Sequence, residues 1–126
     1  MTQEEEQLLF DDLSGRLRYG VICQIDYHDD AVLWGIPNAD TFTFCDGVIE
    51  RYISQVKPYL RPMWSMTDEE VKEYLGMLND IDKSGLMNHK FITKVVDWLD
   101  KKMFDHRGLI PKGLALVAPE DMYKTK

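Results

Sequence analysis

The sequence predicts a single α+β domain, because helical hydrophobic patterns flank a block in which the period changes to two. This strand-like block covers about residues 19 to 62, and amphipathic helical patterns precede and follow it. Strands that follow one another without intervening helices favour an antiparallel sheet over alternating βαβ units. We therefore expect an N-terminal helix, a small antiparallel sheet of about four strands that can curl into a partial barrel, and two packed helices.

The length of the chain supports one hydrophobic core and is too short for two ordinary domains. It has 126 residues, of which 44% are hydrophobic. We expect one domain over residues 1–126, with the N-terminal helix in 1–18, the sheet in 19–62, the two helices in 67–104 and a C-terminal segment in 105–126.

Acidic residues outnumber basic ones by 22 to 15, which leaves a formal net charge of −7. This charge disfavours binding to phosphate backbones and anionic lipids, so we do not expect nucleic acid as the partner. No apolar run approaches the roughly 20 residues of a membrane span, and the opening MTQEEEQLLF lacks the cationic residues of a signal peptide. We expect a cytoplasmic protein with no membrane association.

A capping box marks the start of the first helix, because Thr2 and Glu5 have the T-x-x-E spacing. Acidic residues in its first turn also favour the positive end of the helix dipole. The apolar face consists of Leu9, Phe10 and Leu13. We expect the helix to end at Ser14-Gly15.

Three alternating segments then predict a meander of strands. The first has an apolar face of Val21, Cys23, Ile25 and Tyr27. The second, AVLWGIP, places Val32, Trp34 and Ile36 on one face, and its Gly35 and Pro37 favour an irregular or edge strand. The third, TFTFC, alternates Phe42 and Phe44 with threonines and is closed by the hairpin pair Asp46-Gly47.

The segment VIERYISQV, residues 48–56, fits either a helix or a strand buried on both sides. We favour a fourth strand that ends in a tight turn, because three strands alone rarely hold a core. The two prolines of KPYLRP then predict an extended segment.

A second capping box, Thr67 with Glu70, begins the next helix, and Gly85 permits its end. Its apolar face is Val71, Tyr74, Leu75, Leu78 and Ile81. The last helix should run from about His89 to Met103, with an apolar face of Ile92, Val95, Val96, Leu99 and Met103. LALVAP fits a final strand or simple core packing, and we expect the tail EDMYKTK to be loose.

Four blocks of the sequence resemble a family of short uncharacterised proteins of intestinal bacteria and their phages or other mobile elements. They are DLSGRLRYGV, VKPYLRPMWSMT, DWLDKKMFDHRGLIPKGLAL and APEDMY, and they cover about Asp12 to Tyr123 in the family's order. The family has no assigned activity or cofactor, so the resemblance implies only an accessory gene of a mobile element. This chain departs from the family at Trp64, where a small residue is common, and at His106, where an aromatic is common.

Few motifs in the chain point to catalysis. Cys23 and Cys45 form no CxxC pair and are expected to be small core residues, although neighbouring strands would allow a disulfide. DYHDD could offer metal ligands in Asp26, His28, Asp29 and Asp30, but adjacent turn residues rarely converge, which favours a solvated turn. In DHRG, the side chains Asp105, His106 and Arg107 could support acid–base chemistry, but cations favour the negative end of the last helix, and we prefer this explanation, which needs no chemistry.

The segment from Lys57 to Trp64 is the best candidate for a binding surface. Tyr59, Arg61 and Trp64 belong to residue types that are enriched in interface hot spots, and the prolines reduce the entropy lost on docking. A structural alternative is that Tyr59 packs at the junction between sheet and helix while Arg61 pairs with a carboxylate. The expected interaction surface is Lys57, Tyr59, Arg61 and Trp64.

These observations favour a non-enzymatic protein-interaction or regulatory module of a phage or mobile element, with an unknown protein partner and no cofactor, catalytic residue or metal site. A nucleic-acid-associated factor is a second hypothesis. It would use a local basic patch of Lys101, Lys102, Arg107 and Lys112. A small metal-dependent hydrolase built from the DYHDD and DHRG side chains is a third.

Overall fold

The computed structural model describes residues 1–84 and 89–123, with the backbone alone for 81–84 and 89–91. The described residues form an α+β domain of three α-helices and six strands. The helices are α1 (Gln3–Arg16), α2 (Asp68–Ser84) and α3 (His89–Lys101). The strands are β1 (Ile22–Ile25), β2 (Ala31–Asn38), β3 (Thr41–Phe44), β4 (Ile49–Tyr52), β5 (Val56–Leu60) and β6 (Leu116–Val117).

All six strands form one mixed sheet in the order β4-β3-β2-β1-β5-β6. The pairings are antiparallel except for β5 with β6, which is parallel. The expectation of about four antiparallel strands was therefore wrong in number and in part of the pairing. The extra strands are the segment VKPYL, which pairs with β1 despite Pro58, and the short LV of the C-terminal segment.

The sheet is strongly curved, because β4 and β5 follow each other closely in the chain but lie four positions apart in the sheet. Only a 3₁₀ turn, Ile53–Gln55, connects them. The N–H of Ile53 donates to the carbonyl of Asp40 at 3.0 Å, and the N–H of Asp26 donates to the carbonyl of Gln55 at 3.2 Å. These bonds bring the ends of β1 and β4 close to the same turn and leave a concave face, which is the core, and a convex face.

The concave face of the sheet packs against α1 and the C-terminal segment. From the sheet it contributes Cys23, Ile25, Leu33, Phe42, Phe44, Val56 and Leu60, and from the other elements Leu9, Leu13, Met103, Leu109 and Leu114. The aromatic pattern of TFTFC was correctly predicted, since Phe42 and Phe44 are fully buried.

The capping box of α1 is confirmed, but its predicted end is wrong. Thr2 Oγ1 accepts from the N–H of Glu5 at 3.1 Å, and Glu5 Oε1 accepts from the N–H of Thr2 at 2.9 Å. The helix continues past Ser14 and Gly15 to Arg16 and ends in a 3₁₀ turn before Gly20. Gly15 lies inside the helix, at a point where the side chains of Asp100 and Arg107 approach it closely.

The predicted strands are partly corrected by the structure. Tyr27 lies in the turn after β1 with φ +60 and is exposed, so it does not continue the buried face. In β2, Leu33 faces the core, whereas Val32 and Trp34 face outwards. The strand is irregular at Gly35, as expected, but it lies between β1 and β3 and is not an edge.

The hairpin between β3 and β4 is confirmed, and residues 49–52 are a strand rather than a helix. In the turn of this hairpin, Cys45, Asp46 and Gly47 have positive φ angles. Cys45 is exposed there, contrary to the expectation that both cysteines are core residues, and both thiols are free.

The helices α2 and α3 enclose a smaller cluster around Phe104. The ring centroid of Trp98 lies 6.1 Å from that of Tyr74 and 5.8 Å from that of Phe104. The Thr67 capping box is confirmed. The predicted apolar face of α2 is only partly used, because Val71, Leu75 and Leu78 are exposed. The predicted end of α2 at Gly85 lies outside the described residues.

The C-terminal segment is anchored to the sheet, so the expectation of a loose tail is wrong as far as residue 123. The Tyr123 hydroxyl accepts from the N–H of Ile22 at 2.9 Å and donates to the carbonyl of Tyr59 at 2.8 Å. Residues 124–126 lie outside the described part of the chain. None of the helices described is long and apolar enough to cross a membrane.

Candidate functional site

The convex face of the sheet carries an apolar row that continues across four strands. Residues opposite each other in neighbouring strands face the same side. Val32 of β2 lies opposite Ile22 of β1, and Tyr59 of β5 lies opposite Leu116 of β6. Continuing the register of Cys23 with Pro58 places Ile22 beside Tyr59. We call Trp34, Val32, Ile22, Tyr59 and Leu116 the outer apolar row.

The row is most exposed at its β2 end. Trp34 is 60% exposed and Val32 is 50% exposed, although both are large and apolar. The indole lies over the hairpin between β3 and β4, with Cδ1 and Nε1 each 3.6 Å from the position that a Cβ of Gly47 would take. The hairpin therefore supports one side of the ring.

Polar groups border the row beside Tyr59 and at its β2 end. The Tyr59 hydroxyl interacts with the side chains of Asp30 and Gln24, and burial together with the Asp30 carboxylate raises the pKa of Tyr59. Lys57 lies opposite Gln24 on the same face. At the β2 end, Asp46 is in the supporting hairpin and Glu50 lies on β4.

The structure separates the four residues of the predicted interaction surface. Lys57 and Tyr59 are on the convex face, with Lys57 exposed and Tyr59 half-buried. Trp64 stands on the following 3₁₀ turn, Met63–Ser65, with 84% of its surface exposed. Sequence reasoning missed Trp34 and Val32, although their position on the strand face opposite Leu33 could have identified them.

Arg61 has a structural role that matches the alternative considered from the sequence. Its guanidinium binds both oxygens of Glu70, at 2.8 and 2.6 Å, and its Cζ lies 4.2 Å from the ring centroid of Phe104. Hydrogen bonds from Arg61 lower the pKa of Glu70 to about 2, against the opposing effect of burial. Arg61 therefore ties β5 to the start of α2.

The DHRG segment belongs to a buried ionic cluster that joins the two ends of the chain. Arg16 donates from Nε and Nη2 to the two carboxylate oxygens of Asp12, each at 2.9 Å. Arg107 Nη1 donates to Asp12 and to Asp100, each at 2.8 Å, and His106 Nε2 lies 2.8 Å from the Asp100 carboxylate. We call Asp12, Arg16, Asp100, His106 and Arg107 the ionic cluster.

The centre of the ionic cluster is buried, while His106 and Arg107 are partly exposed at its edge. Asp12 and Arg16 are fully buried, and Arg16 Nη2 also donates to the carbonyl of Phe104 at 2.6 Å. Burial raises the pKa of Asp100, but hydrogen bonds from His106 and Arg107 outweigh that effect and bring it to about 2. These ion pairs connect α1 with α3 and with the C-terminal segment.

The helix dipole of α3 was expected to account for the cations of DHRG, but this explanation left out their carboxylate partners. His106 and Arg107 turn back to carboxylates instead of lying free at the end of α3. Asp105 accepts from the N–H groups of Leu109 and Ile110 at 2.7 and 2.9 Å, which fixes the following turn. The spacing of Asp12 and Arg16 on the same side of α1 as Leu9 and Leu13 could have indicated buried charges.

Replacing Gly15 by alanine should destabilise the protein by about 1 kcal/mol or more, although alanine is the better helix former. A Cβ at this position would lie 2.7 Å from Asp100 Oδ2 and 3.3 Å from Arg107 Nη2, inside the ionic cluster. Urea denaturation followed by circular dichroism measures the change. Gly76→Ala is the matched control, because nothing lies within 4 Å of its Cβ position in α2. It should stabilise by about 0.5–1 kcal/mol. A Gly15→Ala protein as stable as Gly76→Ala would contradict the close approach.

The remaining predicted groups do not converge. In DYHDD, Asp26, His28, Asp29 and Asp30 are exposed. Among residues 1–80 and 92–123, whose side chains the structure describes, no group of three or more His, Cys, Asp or Glu side chains could hold a metal ion.

The four cations of the second hypothesis are not brought onto one surface. Arg107 is bound in the ionic cluster, and Lys112 lies near Glu5 of α1. Lys101 and Lys102 line an open cleft of about 610 Å³ between α2, α3 and the C-terminal segment. The acidic residues in the lining of the cleft are Glu69, Glu70, Glu73 and Glu120. The cleft is therefore of mixed charge and does not form a basic patch.

Comparison with protein-family models, with the curated proteins and with solved structures found no match to this chain. The structure itself defines an α+β domain whose curved sheet buries one face and presents the outer apolar row on the other.

Proposed function

We propose that the protein is a non-enzymatic protein-interaction module that binds a partner through the outer apolar row. The observation that carries the proposal is the exposure of Trp34 and Val32 next to Ile22 and Tyr59 on one continuous face. Tryptophan and tyrosine on a rigid sheet supply large contact areas at little entropic cost, which is why they are common in interface hot spots. Lys57 and Tyr59 of the sequence-based surface are kept in this proposal.

The absence of enzymatic activity and the role in a mobile element are also part of the proposal. The His106, Asp100 and Arg107 side chains that could have supported acid–base chemistry are held in hydrogen bonds with one another and with Asp12. The four sequence blocks that resemble the family of short uncharacterised proteins support an accessory, regulatory role in a phage or mobile element.

Trp34→Ala should reduce capture of the partner about tenfold or more, because a few large aromatic side chains contribute most of the binding energy of such interfaces. Tagged protein is used to capture partners from nuclease-treated host lysate, and the amount of each co-purifying protein is measured. Leu75→Ala is the control, because Leu75 is similarly exposed at 57% but lies on α2. Circular dichroism establishes that each variant is folded.

Other outcomes of this capture identify the competing hypotheses. If Trp64→Ala abolishes capture of the partner and Trp34→Ala leaves capture unchanged, the proposal is overturned and the partner binds at the 3₁₀ turn Met63–Ser65. Capture that depends on nucleic acid would favour the factor using Lys101, Lys102, Arg107 and Lys112, and gel retardation at low salt tests that directly. Equal capture by Trp34→Ala and Leu75→Ala would also overturn the proposal.

A further inference from the structure

We infer that the partner presents a cationic polypeptide segment, in which lysine or arginine surrounds an apolar anchor that docks on the outer apolar row. This inference rests on the proposed function and adds the chemistry of the partner. It comes from the charged side chains that border the row on the convex face of the sheet. Among the described residues these side chains are mainly carboxylates, and Lys57 is a cation on the same face.

Carboxylates stand beside the row at two places. Next to β5, Asp30 interacts with the Tyr59 hydroxyl on the face itself. At the β2 end, Asp46 precedes the glycine on which Trp34 rests. Glu50 lies opposite Thr43, which lies opposite Gly35, the residue after Trp34. An apolar anchor on the row would therefore have a carboxylate within reach on either side.

Cationic side chains fit this arrangement for three physical reasons. Lysine or arginine can form ion pairs with the bordering carboxylates. An uncharged partner would remove water from these carboxylates and offer no ion pair in return. An arginine guanidinium can also stack on the exposed indole of Trp34. The net charge of −7 attracts a cationic segment over longer distances and increases its rate of association.

The same charges argue against other occupants of the row. A second copy of this chain, docked face to face about a twofold axis, would bring two sets of Asp30, Asp46 and Glu50 together. Nucleic acid and anionic membranes would place phosphates against these carboxylates. A cationic polypeptide is the occupant that the surface complements.

The test uses three sets of synthetic peptides that share the same apolar residues. One set is rich in lysine and arginine, one is uncharged, and one is rich in aspartate and glutamate. Each is titrated into the full ¹⁵N-labelled chain, and the indole N–H of Trp34 is followed by NMR. The indoles of Trp64 and Trp98 serve as internal references. The cationic set should shift the Trp34 resonance and amides of β1, β2 and β5, with an affinity that falls as salt is added.

The double variant Asp46→Asn with Glu50→Gln should weaken binding of the cationic set by about threefold to tenfold. Asparagine suits the positive φ at position 46, so the hairpin is kept. Glu4→Gln with Asp80→Asn is the matched control, because it removes the same charge from exposed positions on α1 and α2.

Stronger binding of the uncharged or acidic set on the row would overturn the cationic inference and leave the interaction module standing. Equal weakening by the control variant would also overturn it, since the effect would then come from net charge alone. Binding by none of the sets overturns the inference too, while the capture experiment with Trp34→Ala decides the proposed function separately.

Discussion

Replacing Arg16 by alanine is expected to lower the free energy of unfolding by about 3–5 kcal/mol, which is the usual cost of removing one partner from a buried ion pair. Arg16 and Asp12 are fully buried, and both carboxylate oxygens of Asp12 accept from the guanidinium. Without Arg16, Asp12 keeps Arg107 as a partner, but the carbonyl of Phe104 loses its donor. The loss is large against the 5–15 kcal/mol that typically stabilises a domain.

Urea denaturation at neutral pH measures this change, with Arg18→Ala as the control. Arg18 forms an ion pair with Asp97 near the same helix, but the pair is exposed, so its removal should have little effect. The double variant Asp12→Asn with Arg16→Met should recover part of the loss, because Asp12 Oδ2, which has no donor once Arg16 is removed, then no longer belongs to a buried charge. An Arg16→Ala protein as stable as the Arg18→Ala protein would show that the ionic cluster is not structural.

Acidification is expected to destabilise the protein steeply between about pH 4.5 and pH 2. Asp100 and Glu70 have pKa values lowered to about 2 in the folded protein, from ordinary values of 3.8 and 4.5. The unfolded chain therefore binds protons at a higher pH than the folded chain does. The stability from these groups is fully present above their ordinary pKa values and is lost as the pH falls through the folded ones. For the buried Asp100 the loss is on the order of 2 kcal/mol.

The measurement is the free energy of unfolding at a series of pH values from neutral to 2. Asp100→Asn should be less stable than the wild type at neutral pH but should depend less on pH in this range. Glu70→Gln should do the same independently, because Glu70 binds Arg61 rather than the ionic cluster. The exposed Asp80→Asn variant is the control. Parallel curves for wild type and Asp100→Asn would mean that this carboxylate titrates at its ordinary pKa.

Local patterns in the sequence predicted much of the fold. The α+β class, both capping boxes, the buried Phe42 and Phe44 and the Asp46-Gly47 hairpin depend on neighbouring residues, so a linear sequence contains the information. The pairing of β5 with β1 and β6 does not depend on neighbouring residues, so local patterns could not predict it. Pro58 argues against a strand inside a sheet, and only the partner strands show that the extended segment is accommodated there.

The candidate site was less predictable because exposure depends on what the rest of the chain covers. Val32 and Trp34 were recognised as one face of a strand, but the local pattern did not show whether the rest of the chain covers this face. Arg61 looked suitable for an interface by residue type, and its actual partner, Glu70, was identified separately as a capping residue. The ionic cluster joins residues that are close together only after folding, as in the contact of Asp12 with Arg107 across 95 positions.

That contact has a consequence for how the protein is made on the ribosome. Phe104, His106 and Arg107 are translated about 90 residues after Asp12 and Arg16. At a typical elongation rate this leaves Asp12 and Arg16, which can pair with each other, without the contacts to Phe104 and Arg107 for roughly 5–20 seconds. The nascent chain must keep them hydrated during this time, so burial of α1 against the sheet has to wait until residues 104–107 have been synthesised.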